Sequence, residues 1–105
     1  KIALEKMLYM PQAIVCANDD VAKDVIMILK EKGVAIPQDV AVVGFDDKEE
    51  NELLEPSLTT VHADNQKMGC KLIQQLLWRI KHMDYPYETT YINTSVIIRD
   101  SSRKK

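Results

Sequence analysis

Apolar positions along this chain follow two alternating rhythms. Ala13-Ile14-Val15-Cys16-Ala17 and Val40-Ala41-Val42-Val43-Gly44 are short unbroken apolar runs, the pattern of strands buried on both faces. Between them Val21, Ala22, Val25, Ile26, Ile28 and Leu29 recur at helical spacing and predict one broad apolar helix face. Asn18-Asp19-Asp20 supplies N-cap oxygens ahead of that helix. Gly33 ends it, with Lys30 and Lys32 set against the negative end of its dipole. Upstream, Ile2, Leu4, Met7 and Leu8 predict a helix over 1–9 that Pro11 stops. Downstream, Pro37-Gln38-Asp39 is a turn, Asp46 to Asn51 a polar loop or helical turn, and Leu58-Thr59-Thr60-Val61 a third strand. Asp64 can cap a long helix to about His82, whose stripe is Met68, Leu72, Ile73, Leu76, Leu77 and Ile80. Tyr91-Ile92 and Val96-Ile97-Ile98 read as terminal strands. The order αβαβ-β-α-ββ predicts an α/β fold with a mostly parallel sheet covered by helices on both faces.

Composition narrows the class. The chain has 105 residues, one domain's worth. Apolar residues make 46% of it, enough to offset the entropy of ordering. No apolar run approaches the ~20 residues that span a bilayer, and no export signal opens the chain. The first residue is Lys1, not Met, and the first helix lacks an N-cap; both predict a piece of something longer. A net charge of -2 argues against this module gripping DNA, which calls for a basic face. The clustered positive residues, Arg99 and Arg103-Lys104-Lys105, read as a solvated terminus. Cys16 and Cys70 lie within apolar patterns without CxxC spacing, which points to reduced structural thiols and a cytoplasmic setting.

In open α/β sheets, ligands lie beyond the carboxyl ends of the strands. Two acidic segments fall there: Asn18-Asp19-Asp20 and Phe45-Asp46-Asp47. Carboxylates accept hydrogen bonds from sugar hydroxyls, Asn both donates and accepts, and Phe45 can stack on an apolar sugar face. The competing reading makes Asn18 or Asp19 a helix cap and Asp46-Asp47 a turn. A phosphorylation-receiver arrangement of the same acids fails on spacing, and no Lys stands where it is needed. His62 and His82 lack metal-ligand partners at helical spacing. The serines lack a nucleophile-elbow context, and Gly33, Gly44 and Gly69 form no phosphate loop. No enzyme, metal or cofactor is expected.

Four segments then fit one pattern in order: PQAIVCANDDVA from Pro11 to Ala22, GVAIPQDVAVVGFDD from Gly33 to Asp47, PSLTTV from Pro56 to Val61, and VIIRDSS from Val96 to Ser102. Together they resemble the C-terminal part of the effector-binding domain of lac-repressor (LacI/GalR) family transcriptional regulators, a domain similar to type I periplasmic sugar-binding proteins. The resemblance implies that residues 1–105 are most of the second lobe of a two-lobe domain. The first lobe would be mostly absent, and DNA would be bound only through a missing N-terminal helix-turn-helix. It implies a small-molecule effector, sugar or nucleoside-like, held by Asn18 and Asp46 with Asp19 close by; Phe45, the stacking candidate read from the residues themselves, adjoins Asp46. Ala63 and Asn65 stand where some members place a Gln and an aromatic against the ligand, which implies a smaller or differently oriented effector. A homodimer is implied too, with Leu53 and Leu54 at the contact. Related lobes also serve as sensors of signalling enzymes and as sugar-transport binding proteins.

Overall fold

A computed structural model describes residues 2–104. The elements are α1 (Ile2–Glu5), β1 (Ala13–Val15), α2 (Asp19–Glu31), β2 (Ala41–Val43), a 3-10 helix (Glu49–Leu53), β3 (Thr60–His62), α3 (Asn65–Lys81) and β4 (Ser95–Ile97). The chain divides into two compact units. One runs up to His62 and resumes at Ser95; the other is Ala63–Thr94.

In the first unit β1 and β2 pair in parallel, Ala13 with Ala41, Ile14 with Val42 and Val15 with Val43. A parallel pair needs a crossover, and α2 supplies it. β3 continues the parallel direction beside β2: Val43 bridges Thr59, and the Gly44 N–H donates to the Thr59 carbonyl at 2.9 Å. β4 then runs antiparallel to β3, Thr60 opposite Ile97 and His62 opposite Ser95. The core joins the apolar stripe of α2 to the strands: Ala22, Ile26 and Leu29 with Cys16, Val40, Val42 and Leu58. Burial pushes the Cys16 thiol pKa up, which suits a small core residue rather than a reactive thiolate.

Ser101, beyond β4, is hydrogen-bonded to this sheet. Ser101 is wholly buried. Its carbonyl accepts from the Val42 N–H, its hydroxyl donates to the Val42 carbonyl, and its Oγ accepts from the Thr59 N–H. Ser101 thus satisfies backbone groups where the chain diverges between β2 and the start of β3.

Several elements differ from the sequence expectation. Each strand is three residues long. β1 is not buried on both faces: Ala13 is exposed and Val15 is 79% exposed, while Ile14 packs on the core. Within this unit α2 covers one face, and an apolar run marks a strand without saying which face finds a cover. Of the expected helix over 1–9, Ile2–Glu5 is helical and Lys1 lies outside the described residues. Tyr91-Ile92 forms no strand.

In the second unit Asp64 caps α3 as expected, its Oδ1 accepting from the Lys67 N–H at 2.9 Å. No residue of α3 is buried. Its apolar stripe, Met68, Leu72, Ile73, Leu76, Leu77 and Ile80, is exposed, and so is Cys70. At its end Trp78 stacks on His82 with ring centroids 4.6 Å apart, and Tyr85 meets both edge-on. His82 therefore has a packing partner rather than a bare surface position.

Candidate functional site

The carboxyl ends of β1, β2 and β3 converge, and backbone hydrogen bonds show how closely. The Asp19 N–H donates to the Phe45 carbonyl at 2.9 Å, and the Asp46 N–H donates to the Val61 carbonyl at 3.0 Å. The residues following Asn18 and preceding Asp46 are therefore bonded neighbours.

Asn18 is the helix cap. Its backbone is extended, and its Oδ1 accepts from the Val21 N–H at 2.9 Å. This engages the amide oxygen and leaves the Nδ2 donor for another partner. Asp19, expected as the cap and as an effector neighbour, is turned inward instead and is 2% exposed. Its Oδ1 accepts from the Thr60 hydroxyl at 2.6 Å. Its Oδ2 accepts from the Lys48 N–H at 2.9 Å and from Asn51 Nδ2 at 2.7 Å. A buried carboxylate is tolerated only when its lone pairs are filled, and this one is bonded to the loop after β2, the 3-10 helix and β3. Asp19 also lies in the first turn of α2, where the helix dipole favours negative charge.

Gly44 makes room for it. A Cβ built on Gly44 would lie 2.2 Å from Asp19 Oδ1 and 3.2 Å from Leu58 Cδ2. The glycine of the GFDD segment is thus required by a close approach.

Beyond Gly44 the chain turns sharply. Asp46 and Asp47 both have positive φ, 114° and 58°. For a non-glycine residue such a conformation costs on the order of 1 kcal/mol or more, and it persists where surrounding bonds over-determine it. Those bonds are present. The Asp47 N–H reaches the Thr60 hydroxyl oxygen at 3.3 Å. Asp47 Oδ1 pairs with Arg99 Nη2 at 2.9 Å, and its Oδ2 with His62 Nδ1 at 3.0 Å. Arg99 Nη1 also donates to the Leu58 carbonyl at 2.9 Å. Arg99 is therefore no solvated terminal charge: its side chain is 13% exposed.

What remains open to a ligand is Asn18 and Asp46, both half-buried, and Phe45, which is 38% exposed. Among the described residues no hydrogen bond engages the Asp46 carboxylate. Nearby cations are already paired: Arg99 with Asp47, and Lys48 Nζ with Asp20 Oδ2 at 2.6 Å. That hydrogen bond to Asp20 raises the Lys48 pKa. The edge offers carboxylate oxygens, an amide donor and an aromatic ring, and Asp46, Asp47, Glu49, Glu50 and Glu52 crowd it with negative charge. Such chemistry suits a neutral ligand rich in hydroxyl donors and disfavours an anion. Among the described residues no group of three or more His, Cys, Asp and Glu side chains could hold a metal, and no helix is long and apolar enough to cross a membrane.

The two leucines expected at a dimer contact part company. Leu53 is 87% exposed, whereas Leu54 packs against the hydrophobic core. The sequence reading placed Asp47 only in an acidic edge or turn and missed Asn51, Thr60, His62 and Arg99 as site-building residues. Thr60 and Arg99 lie within the PSLTTV and VIIRDSS segments, which did not signal what they bond.

Comparison with known proteins bears on the fold and the family. The model of the periplasmic binding protein-like domain matches residues 1–102. The HTH-type transcriptional repressor PurR of Mannheimia succiniciproducens is 35% identical over 94 residues, covering 90% of this chain and 28% of the relative. The chain thus spans less than a third of that protein's length. Among solved structures, the lac repressor dimer bound to operator and the anti-inducer ONPF superposes with a TM-score of 0.83 at 25% identity, over 96% of this chain and 30% of that one. A LacI family transcriptional regulator from Enterococcus faecalis V583 with bound ribose gives 0.78 at 27% identity, over 96% and 37%. With a matching family model over nearly all its length, parallel strands joined by α2, and a polar edge where those strands end, the chain belongs to the periplasmic binding protein-like domain family, in the form found in LacI-family transcriptional regulators.

Proposed function

We propose that the chain is a small-molecule sensing part of a transcriptional regulator, and that Asn18, Phe45 and Asp46 form one wall of its effector site. The observation that carries this is the half-buried Asp46 carboxylate. It is held at the carboxyl end of β2 by its own backbone bond to β3, with its oxygens free for a ligand. Asp19 stands behind that wall and shapes it. The effector is a neutral polyhydroxylated molecule, a sugar or nucleoside, in keeping with the ribose bound by the Enterococcus relative. Phe45 supplies an apolar face for its ring.

In this reading the rest of the sensing domain and the DNA-binding head lie in the longer protein, which works in the cytoplasm on DNA. The exposed apolar stripe of α3 is covered there by the remainder of the first lobe. An effector that contacts both lobes binds one of their arrangements better than the other, and its binding energy shifts the population toward that arrangement. The protein does no chemistry on its ligand; the relatives are repressors.

The test is calorimetry on the full-length protein with ribose, lactose and cellobiose as probes. Asp46→Ala should weaken the bound sugar at least ~10-fold, since a charge-assisted hydrogen bond is worth roughly 1.5–3 kcal/mol. Operator binding by the effector-free protein should be unchanged. Equal sugar affinity in the variant and the parent would remove Asp46 from the site.

The regulator acts as a homodimer, and the exposed Leu53 lies at its contact while Leu54 supports the fold. Leu53→Asp should shift sedimentation from dimer to monomer with little change in thermal midpoint. Leu54→Asp should lower the midpoint instead. An unchanged dimer in Leu53→Asp would place the interface elsewhere.

A further inference from the structure

Asp47 has two partners from distant parts of the chain and a backbone that few residues adopt. We propose that Asp47 is a positioning residue for the ligand carboxylate of Asp46: paired with Arg99 and His62, it fastens the left-handed Asp46-Asp47 turn to β3 and to the chain segment leaving β4. This inference rests on the reading that places Asp46 against the effector.

The geometry carries the argument. Asp46, with φ 114°, is followed by Asp47, with φ 58°. Without outside restraint such a pair samples several conformations, and the Asp46 carboxylate moves with them. Among the described residues, its one tie on its own account is the N–H to the Val61 carbonyl, 3.0 Å. Asp47 adds three ties immediately after it. Its N–H bond to Thr60 Oγ1 is long, 3.3 Å, so the restraint falls mainly on the carboxylate. There, Oδ1 meets Arg99 Nη2 at 2.9 Å and Oδ2 meets His62 Nδ1 at 3.0 Å. A carboxylate held by two groups on opposite oxygens cannot rotate without breaking one bond.

Arg99 is itself fixed. Its Nη1 donates to the Leu58 carbonyl, its N–H donates to Thr59 Oγ1 at 2.8 Å, and its side chain is 13% exposed. Glu52 approaches Arg99 Nη2 at 3.6 Å but is 74% exposed, so Asp47 is the principal anionic partner. The chain is thus anchored on both sides of the turn: Gly44 to Thr59 before it, and Asp47 to Arg99 and His62 after it. His62 and Arg99 lie 15 and 52 residues from Asp47 in sequence, so folding of the whole unit sets the carboxylate that the ligand meets.

The experiment uses the full-length protein in two parts. Amide hydrogen exchange without ligand should show the 46–48 segment exchanging at least ~10-fold faster in Asp47→Asn than in the parent, with the amides of α2 unchanged. Arg99→Lys, which keeps the charge but loses the fork, should fall between the two. Next, ribose, lactose and cellobiose affinities are measured in a double-mutant cycle of Asp47→Asn with Asp46→Ala. If Asp47 acts through Asp46, Asp47→Asn alone costs about 5–10-fold in affinity and costs nothing further once Asp46 is alanine. Unchanged exchange at 46–48, or additive losses in the cycle, overturns the positioning role. If Asp46→Ala alone leaves affinity unchanged, or the parent binds none of the three sugars, the effector-site reading falls and the inference with it, whereas the exchange data still report whether the clamp exists.

Discussion

Asp19→Ala is expected to destabilise the first unit by about 3–5 kcal/mol, the largest loss from any polar substitution near the site. Three donors converge on that carboxylate: the Thr60 hydroxyl, the Lys48 N–H and the Asn51 side-chain amide. Thr60 and Asn51 are themselves buried. Each donor left without an acceptor costs on the order of 1–3 kcal/mol, and hydrogen bonds to a charged group lie at the upper end of the usual range. Water can enter partway to Lys48, which lies at the surface, so the three losses do not sum in full. Asp19→Asn sets the scale from the other side. Its amide oxygen can occupy the Oδ2 place and keep Lys48 and Asn51, while its NH₂ faces a Thr60 hydroxyl able to rotate and accept. That variant should lose only about 1–2 kcal/mol. Urea denaturation followed by circular dichroism checks both. Equal midpoints for Asp19→Ala and the parent would show that the three donors find other acceptors.

The contrast between Asn18 and Asp19 shows what the sequence makes legible here. An N-cap is local: an Asn three residues ahead of the N–H that it accepts from can be read from spacing, and so can Asp64 ahead of α3. The parallel order of β1 and β2 is nearly local as well, because one helix of α2's length permits one crossover. The Asp19 network has no such signature. Its partners lie 29, 32 and 41 residues away, and nothing in the spacing of Asp19 and Asn51 distinguishes them from surface residues. Arg99 is a similar case: adjacent sequence suggests a basic tail, and only folding brings it to Asp47. Burial of apolar stripes is legible in direction but not in outcome. The stripe of α2 meets the core, whereas the equally regular stripe of α3 is exposed, because periodicity states which face needs a cover and not whether this chain supplies it.

Gly44→Ala is the second large expected effect, and its sign is set by a competition. Where backbone geometry allows, replacing glycine by alanine stabilises by about 0.4–1 kcal/mol, because the unfolded chain loses freedom. Gly44 has no positive φ, so alanine can adopt its conformation and would gain that amount. Against this stands a Cβ 2.2 Å from Asp19 Oδ1, 3.2 Å from the Asp19 Cα and 3.2 Å from Leu58 Cδ2. The first distance is far inside van der Waals contact. The carboxylate cannot swing aside cheaply, because the atom displaced is the one that Thr60 bonds at 2.6 Å. Leu58 is wholly buried and has little room to yield. Overpacking of this kind costs about 1–3 kcal/mol, and partial loss of the Asp19 hydrogen bonds adds to it, so a net loss of about 2–4 kcal/mol is expected. The cause can be isolated. In an Asp19→Ala background the nearest clash is gone, and Gly44→Ala should then cost no more than about 1 kcal/mol, leaving the double variant well short of the sum of the two singles. Strict additivity in denaturation midpoints would mean that the glycine is required by something other than the carboxylate behind it.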